Sequence, residues 1–101
     1  MLVKITPNDK NNPPGKLAKT ELHFAEGPLA GLKLIGFAIW ERRTGSGRNV
    51  TFPARSYAVN GEKRTFALLR PITGDATAQD RLREIVLQAY AEYEERAAVT
   101  S

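Results

Sequence analysis

The chain has 101 residues, 42% of them hydrophobic, and a formal net charge of +4, which suits one small domain with a single core over residues 1–101. It contains no cysteine and one histidine, which excludes a disulfide framework and argues against a metal site. No apolar run approaches the roughly 18 residues of a membrane span, and no secretory signal is recognisable. We therefore expect a cytoplasmic protein without cofactors.

Two strands joined by a turn-rich loop are predicted at the start of the chain. Residues 1–6 alternate apolar and polar side chains, as a half-buried strand does. Residues 7–15 are rich in proline and asparagine, and we predict a long flexible loop there. The second strand is predicted at residues 17–25, with Leu22 and Phe24 on one face.

Residues 32–41 (LKLIGFAIWE) are the most apolar stretch and predict a central strand that needs cover on both faces. Strict alternation would place Ile35, Phe37 and Ile39 on the same face. Gly36 interrupts the pattern and indicates a bulge or the close approach of another part of the backbone.

Residues 32–70 are predicted to form a core β-meander. A basic, glycine-rich turn at residues 42–49 is followed by a strand at residues 50–55, in which Pro53 indicates an edge position or a bulge.

A second hairpin is predicted around Asn60-Gly61, because both central residues of a type I′ turn need a positive φ. Its outgoing arm contains Tyr57 and Val59, and its returning strand is predicted at residues 64–70.

A long helix is predicted at residues 77–98, with Thr77 as its N-cap and Asp80 near its positive end. Its apolar residues recur at helical spacing and form one continuous stripe: Leu82, Ile85, Val86, Ala89, Tyr90, Tyr93 and Ala97. This stripe is longer than a small sheet buries alone, which favours a homodimer. The predicted fold class is therefore α+β: a twisted antiparallel sheet of four to five strands with one long C-terminal helix packed on it.

Several short motifs occur in a characteristic order over residues 32–93. They are the apolar strand ending in an acid (LKLIGFAIWE), Phe52-Pro53-Ala54-Arg55, Gly61-Glu62, a base at Lys63 or Arg64, Pro71-Ile72, and a terminal helix reaching about Tyr90. In order and approximate spacing this region resembles the stage V sporulation protein G (SpoVG) family of small bacterial proteins.

The resemblance implies a small sheet packed by a C-terminal helix, a homodimer, and sequence-tolerant binding of DNA or RNA in a regulatory role. The chain departs from the family in its Pro/Asn-rich loop, its longer basic turn at residues 42–49, and the insertion of residues 57–59. These departures fall on surface loops, where partners are usually recognised.

The charges divide along the chain. Residues 1–74 carry twelve bases and five acids, whereas residues 75–101 carry three bases and six acids. Charge of one sign gathered on part of a surface attracts a polyanion, which makes nucleic acid the first partner to consider. The candidate phosphate ligands are Arg42, Arg43 and Arg48, all expected on an exposed tip, and Arg55, Lys63, Arg64 and Arg70 around the second hairpin.

Arg64 and Arg70 are an even number of residues apart, so on one strand they share a face with Phe66 and Leu68 between them. Either this face is basic at its ends and apolar in its middle, or its ends splay into solvent around a core. The second arrangement is the more ordinary.

Trp40 and Tyr57 are candidates for stacking on unpaired bases beside the cationic residues. For Trp40 a core or interface position is the favoured alternative. His23 has no Ser, Cys or acid at a recognisable catalytic spacing, and no enzyme signature is found.

These features predict a non-enzymatic, weakly sequence-specific DNA- or RNA-binding regulatory protein, acting as a homodimer through basic hairpins, with no membrane or small-molecule partner. Two alternatives stay open. One is a single-stranded-DNA-binding coactivator-like protein, and the other is a protein-interaction module with a basic docking face.

Overall fold

The structure is a computed structural model that describes residues 1–8, 13–42 and 47–100, the last two of them by backbone alone. Its elements are β1 (Leu2–Pro7), β2 (Lys16–His23), β3 (Lys33–Glu41), β4 (Arg48–Thr51), β5 (Ala54–Val59), β6 (Glu62–Ala67) and α1 (Thr77–Thr100), with a short 3₁₀ helix at Gly27–Leu29. The predicted α+β class is confirmed. Among the described helices, none combines the length and the apolarity needed to cross a membrane.

The strands form two antiparallel sheets, where the sequence predicted one. The larger sheet has the order β1-β2-β3-β4, and β5 pairs with β6 in a separate hairpin. The strand predicted at residues 50–55 is divided, because β4 ends at Thr51 and β5 begins at Ala54. Pro53 lies in the gap, where its missing N–H cannot continue a ladder. The predicted meander over residues 32–70 therefore breaks at this point.

The central strand β3 contains a bulge. Thr20 pairs with Phe37 and Leu22 pairs with Leu34, so two residues of β3 oppose one of β2. The extra residue shifts the alternation of side chains. Ile35 is consequently 60% exposed, while Leu34 packs against the core. The expectation that Ile35 shares a face with Phe37 is wrong for this reason.

Gly36 lies in this bulge and confirms the expectation of a close approach. Its φ is +109°, a conformation that side chains rarely adopt, and a Cβ placed there would lie 3.1 Å from the Cβ of Pro53. The absence of a side chain at residue 36 thus lets the chain after β4 pass directly against β3.

The core lies between one face of the larger sheet and α1, which contacts the two edge strands β1 and β4 and so crosses the sheet. Its buried residues are Ala18, Leu22, Phe37, Ile39, Val50, Val86 and Tyr90. Leu82 and Tyr93 pack at its margin as the helical stripe predicts, and so does Leu87, which the stripe omits.

The start of α1 is capped by a different residue from the one predicted. The carboxylate of Asp75 accepts hydrogen bonds from the backbone N–H of Thr77 at 3.0 Å and from its hydroxyl at 2.7 Å. The hydroxyl bond and then the backbone bond lower the pKa of Asp75. Thr77 is therefore the first helical residue. Asp80 lies in the first turn as predicted, and it forms an ion pair with Arg83 at 2.8 Å.

The hairpin of residues 54–67, called the arm below, projects from the body of the protein. Asn60 and Gly61 have φ values of +50° and +81°, as the predicted turn requires. Every residue of β5 is exposed, and so is every residue of β6 except Ala67. The Cα radius of gyration, 15.3 Å, accordingly exceeds the roughly 13 Å of a compact chain of this length.

We predict that Gly36→Ala lowers the free energy of unfolding by about 3 kcal/mol, from backbone strain together with the contact that its Cβ makes with Pro53. Gly74→Ala is the matched control, because Gly74 also has a positive φ, of +77°, but its Cβ would meet nothing within 4 Å. That control should cost about 1 kcal/mol. Urea unfolding measures both, and equal losses would contradict the role assigned to the Gly36–Pro53 contact.

Candidate nucleic-acid interface

The register of the arm sorts its side chains onto two different faces. Residues directly opposite each other in an antiparallel pair point to the same side. The aromatic face comprises Arg55, Tyr57, Val59, Glu62, Arg64 and Phe66, and the small-residue face comprises Ala54, Ser56, Ala58, Lys63, Thr65 and Ala67. Aromatic rings and two of the three arm bases thus share one face, while the other carries Lys63 alone among small side chains.

Tyr57 and Phe66 form an exposed aromatic pair on the aromatic face. Their ring centroids are 5.6 Å apart, the planes meet at 63°, and the residues are 42% and 37% exposed. Arg70 lies beyond the end of β6, but its guanidinium carbon is 5.8 Å from the centre of the Phe66 ring. Its Nε donates to the Ala67 carbonyl at 2.9 Å, which holds the guanidinium near the ring.

The segment from Arg64 to Arg70 does not surround a core, since both Phe66 and Leu68 are exposed. The more ordinary expectation, in which such a face surrounds a core, is wrong. The returning strand also ends at Ala67, so Arg70 shares the face by its contact with Phe66 and not by a position on β6.

The three bases on the arm itself are all exposed: Arg55, Lys63 and Arg64. Arg64 reaches the carboxylate of Glu62 at 3.4 Å, and both side chains are more than half exposed. An ion pair in this setting contributes little and exchanges readily for another anion. The arm therefore offers cations whose present partners hold them only weakly.

The base of the arm is held by the residues on either side of it. The N–H of Leu68 donates to the carbonyl of Pro53 at 2.9 Å, which closes the hairpin. Phe52 packs edge-on against the buried Phe37, with centroids 5.3 Å apart, and Leu69 packs against the core. The arm is thus fixed at its root while its length stays in solvent.

Arg48 lies at the start of β4, where it joins the sheet to α1 and is not on an exposed tip. Its two terminal nitrogens donate to the two carboxylate oxygens of Glu94, the longer of these bonds being 2.8 Å. Its guanidinium carbon lies 4.8 Å from the centre of the Tyr90 ring. Burial, and secondarily Glu94, raises the pKa of Tyr90, while Arg48 opposes that shift. The exposed position expected for Arg48 is therefore wrong.

Of the other two arginines of the basic turn, the structure describes one. Arg42 is exposed just after β3, and its N–H donates to the carbonyl of Gly47 at 3.2 Å. Arg43 lies outside the described residues. Of the two described members of the predicted triplet, Arg42 is thus the one placed in solvent.

The two predicted stacking residues lie in different sheets. Trp40 is half-buried on β3, where its indole N–H donates to the Thr51 hydroxyl at 2.9 Å and the Lys16 ammonium lies 5.8 Å from its ring centre. These contacts tie the ring to neighbouring strands. Tyr57 instead lies on the arm, next to an aromatic partner.

Phe66 is an arm residue that sequence reasoning did not identify as a stacking candidate. Its position beside Tyr57 could have been predicted from the turn, because a two-residue Asn-Gly turn fixes the pairing of Val59 with Glu62. Counting back along both strands pairs Arg55 with Phe66 and places Phe66 diagonally across from Tyr57.

Comparisons of the chain with protein families, curated proteins and solved structures gave no match in any of the three. The resemblance to the SpoVG family therefore stays a prediction from the motifs. The described residues contain no group of three or more histidine, aspartate or glutamate residues that could hold a metal ion.

We predict that the Arg48–Glu94 pair stabilises the fold by about 1 kcal/mol, because it is bidentate and packs on Tyr90. A double-mutant cycle with R48M and E94Q, followed by urea unfolding, measures this coupling. The exposed Arg64–Glu62 pair is the control, and the cycle with R64M and E62Q should give a coupling near zero. A coupling no larger at Arg48–Glu94 than at the control would contradict the linking role of Arg48.

Proposed function

We propose that the protein is a non-enzymatic nucleic-acid-binding protein of weak sequence specificity that acts in regulation as a cytoplasmic homodimer. The observation that carries the proposal is the arm, a projecting hairpin with exposed basic residues and without buried side chains on β5. Arginine and lysine on such an element reach phosphates without rearrangement of the core. The motif resemblance to the SpoVG family points to the same function.

Weak sequence specificity is expected because the proposed phosphate ligands lie on the arm and not on the long helix. Sequence is commonly read by a helix in the major groove. Here the long helix has acids at Glu84, Glu92 and Glu95, and it uses one face to cover the sheet. The arm offers phosphate ligands, which position a nucleic acid without identifying its sequence.

We predict that R55Q/K63Q/R64Q weakens the binding of mixed-sequence nucleic acid by about tenfold or more. Since three phosphate contacts are lost, the salt slope should fall by about 2 for single strands and by about 3 for duplex DNA. Fluorescence anisotropy with labelled single-stranded DNA, duplex DNA and RNA, at low and near-physiological salt, measures both quantities.

The matched control is K4Q/K19Q/K33Q, which removes the same charge from exposed lysines of the larger sheet and should have a clearly smaller effect. Equal losses in the two variants would show that net charge acts without a site on the arm. An absence of saturable binding by the unmodified protein at low salt would overturn the proposed function.

The homodimer is supported by an open groove between β1 and α1. The groove has a volume of about 930 Å³, and apolar side chains of both elements line it, including Leu2, Ile5 and Ile85. Leu2 is 63% exposed and Ile85 is 42% exposed. In addition, β1 is an edge strand with one side unpaired in the described sheet, and such an edge can pair with another copy.

We predict that I85E abolishes a dimer seen for the unmodified protein at micromolar concentration, because it would place a charge in an apolar interface. The control is I72E, which makes the same change at a fully exposed loop residue outside the groove. Sedimentation velocity gives the masses, and circular dichroism verifies folding. A monomeric unmodified protein, or a folded I85E variant that stays dimeric, would contradict the use of this groove.

A further inference from the structure

We propose that the aromatic face of the arm binds single-stranded nucleic acid by stacking unpaired bases on Tyr57, with Phe66 supporting that ring and arginines taking the adjacent phosphates. This inference rests on the proposed function and deepens it, because it assigns the residues and the strandedness of the ligand.

The first support is the exposure of the Tyr57–Phe66 pair. Three aromatic pairs occur among the described residues, and in the other two at least one ring is buried: Phe37 in one and Tyr90 in the other. Only Tyr57 and Phe66 are both exposed. An aromatic ring that presents its surface to solvent can stack on a base of any sequence.

The second support is the arrangement of charge around these rings. Across the arm, Arg55 pairs with Phe66 and Tyr57 pairs with Arg64, so each ring has an arginine directly opposite it. Cβ atoms of such pairs lie about 5 Å apart. Nucleobases and phosphates alternate along a single strand. Aromatic rings and arginines alternate in the same way on this face of the arm.

Arg70 distinguishes the two rings from each other. Its guanidinium lies over Phe66, held there by the hydrogen bond to Ala67, whereas no described cation lies over Tyr57. Tyr57 is therefore the open ring, and Phe66 fixes its orientation through the edge-to-face contact. Glu62 lies near the turn on the same face, so phosphates are expected towards the root of the arm, near Arg55 and Arg70.

Duplex DNA does not satisfy this arrangement. Its bases are already paired and stacked, so it can offer phosphates to the arginines but no free base to Tyr57. The arm should consequently prefer an unpaired strand, and the preference should depend on the ring more than on charge.

The test compares Y57L with Y57F on three ligands of equal length: an oligothymidylate of about twelve nucleotides, the same sugar–phosphate chain without bases, and a duplex. Y57L keeps an apolar side chain against Phe66 but cannot stack, whereas Y57F loses only the hydroxyl. Y57L should weaken oligothymidylate binding by about tenfold and leave binding of the base-free chain unchanged. Y57F should bind as the unmodified protein does.

Neighbouring residues on β6 provide a control for charge. Arg64 points to the aromatic face and Lys63 to the small-residue face. R64Q should therefore weaken oligothymidylate binding more than K63Q, although both variants lose one charge.

Tryptophan fluorescence provides a second measurement that stays informative if Y57L unfolds the arm. Trp40 is the single tryptophan, so the W40F/Y57W variant reports from residue 57 alone. Its emission should be quenched by the oligothymidylate and unaffected by the base-free chain, and the W40F variant serves as the blank.

The possible failures are distinguishable. Equal affinity for oligothymidylate and the base-free chain, with Y57L equal to Y57F and no quenching, would overturn the stacking site while leaving polyanion binding intact. Duplex bound as tightly as the single strand would overturn it as well. No salt-dependent binding of any ligand would overturn the proposed function and this inference together.

Discussion

The contact between Gly36 and Pro53 determines how the arm is joined to the rest of the protein. A side chain at residue 36 would meet Pro53 at 3.1 Å, so glycine is what allows the proline to pack there. Proline has no N–H for a neighbouring strand, and β4 has ended at Thr51 just before it. The chain leaving this junction pairs with itself, and its exposed hairpin is the consequence.

Much of the arm could be predicted from its turn, whereas the interior of the sheet could not be predicted from alternation alone. Asn60-Gly61 has the backbone that its residue types favour, and the strand register follows from it. The face of Ile35 was predicted wrongly because the two-residue alternation of strand side chains is shifted by the extra residue of a bulge. Arg48 was misplaced because Glu94 lies 46 residues away in sequence, and only the packing of α1 across β4 brings the two together.

The packing of α1 on the larger sheet leaves some basic residues in ion pairs and others on the exposed arm. Acids of α1 and of the larger sheet hold nearby bases in ion pairs, as Glu94 does for Arg48 and Glu21 does for Lys33 at 3.1 Å. Lys33 in turn lowers the pKa of the Glu21 carboxyl. Residues 54–67 contain three basic residues and one acidic residue, and all of them except Ala67 are exposed. The arm therefore keeps an excess of basic over acidic residues in solvent.

Stability alone does not explain why the aromatic pair of the arm lies in solvent. A two-stranded hairpin is marginal by itself, and a cross-strand ring pair stabilises it. Rings packed on the core would stabilise it further, however, as Phe52 does at the root by packing on Phe37. Tyr57 and Phe66 instead keep apolar surface exposed beside arginines. A cluster of this kind is favourable when a partner covers it, and a base that stacks on Tyr57 would stabilise the arm by binding only its folded form.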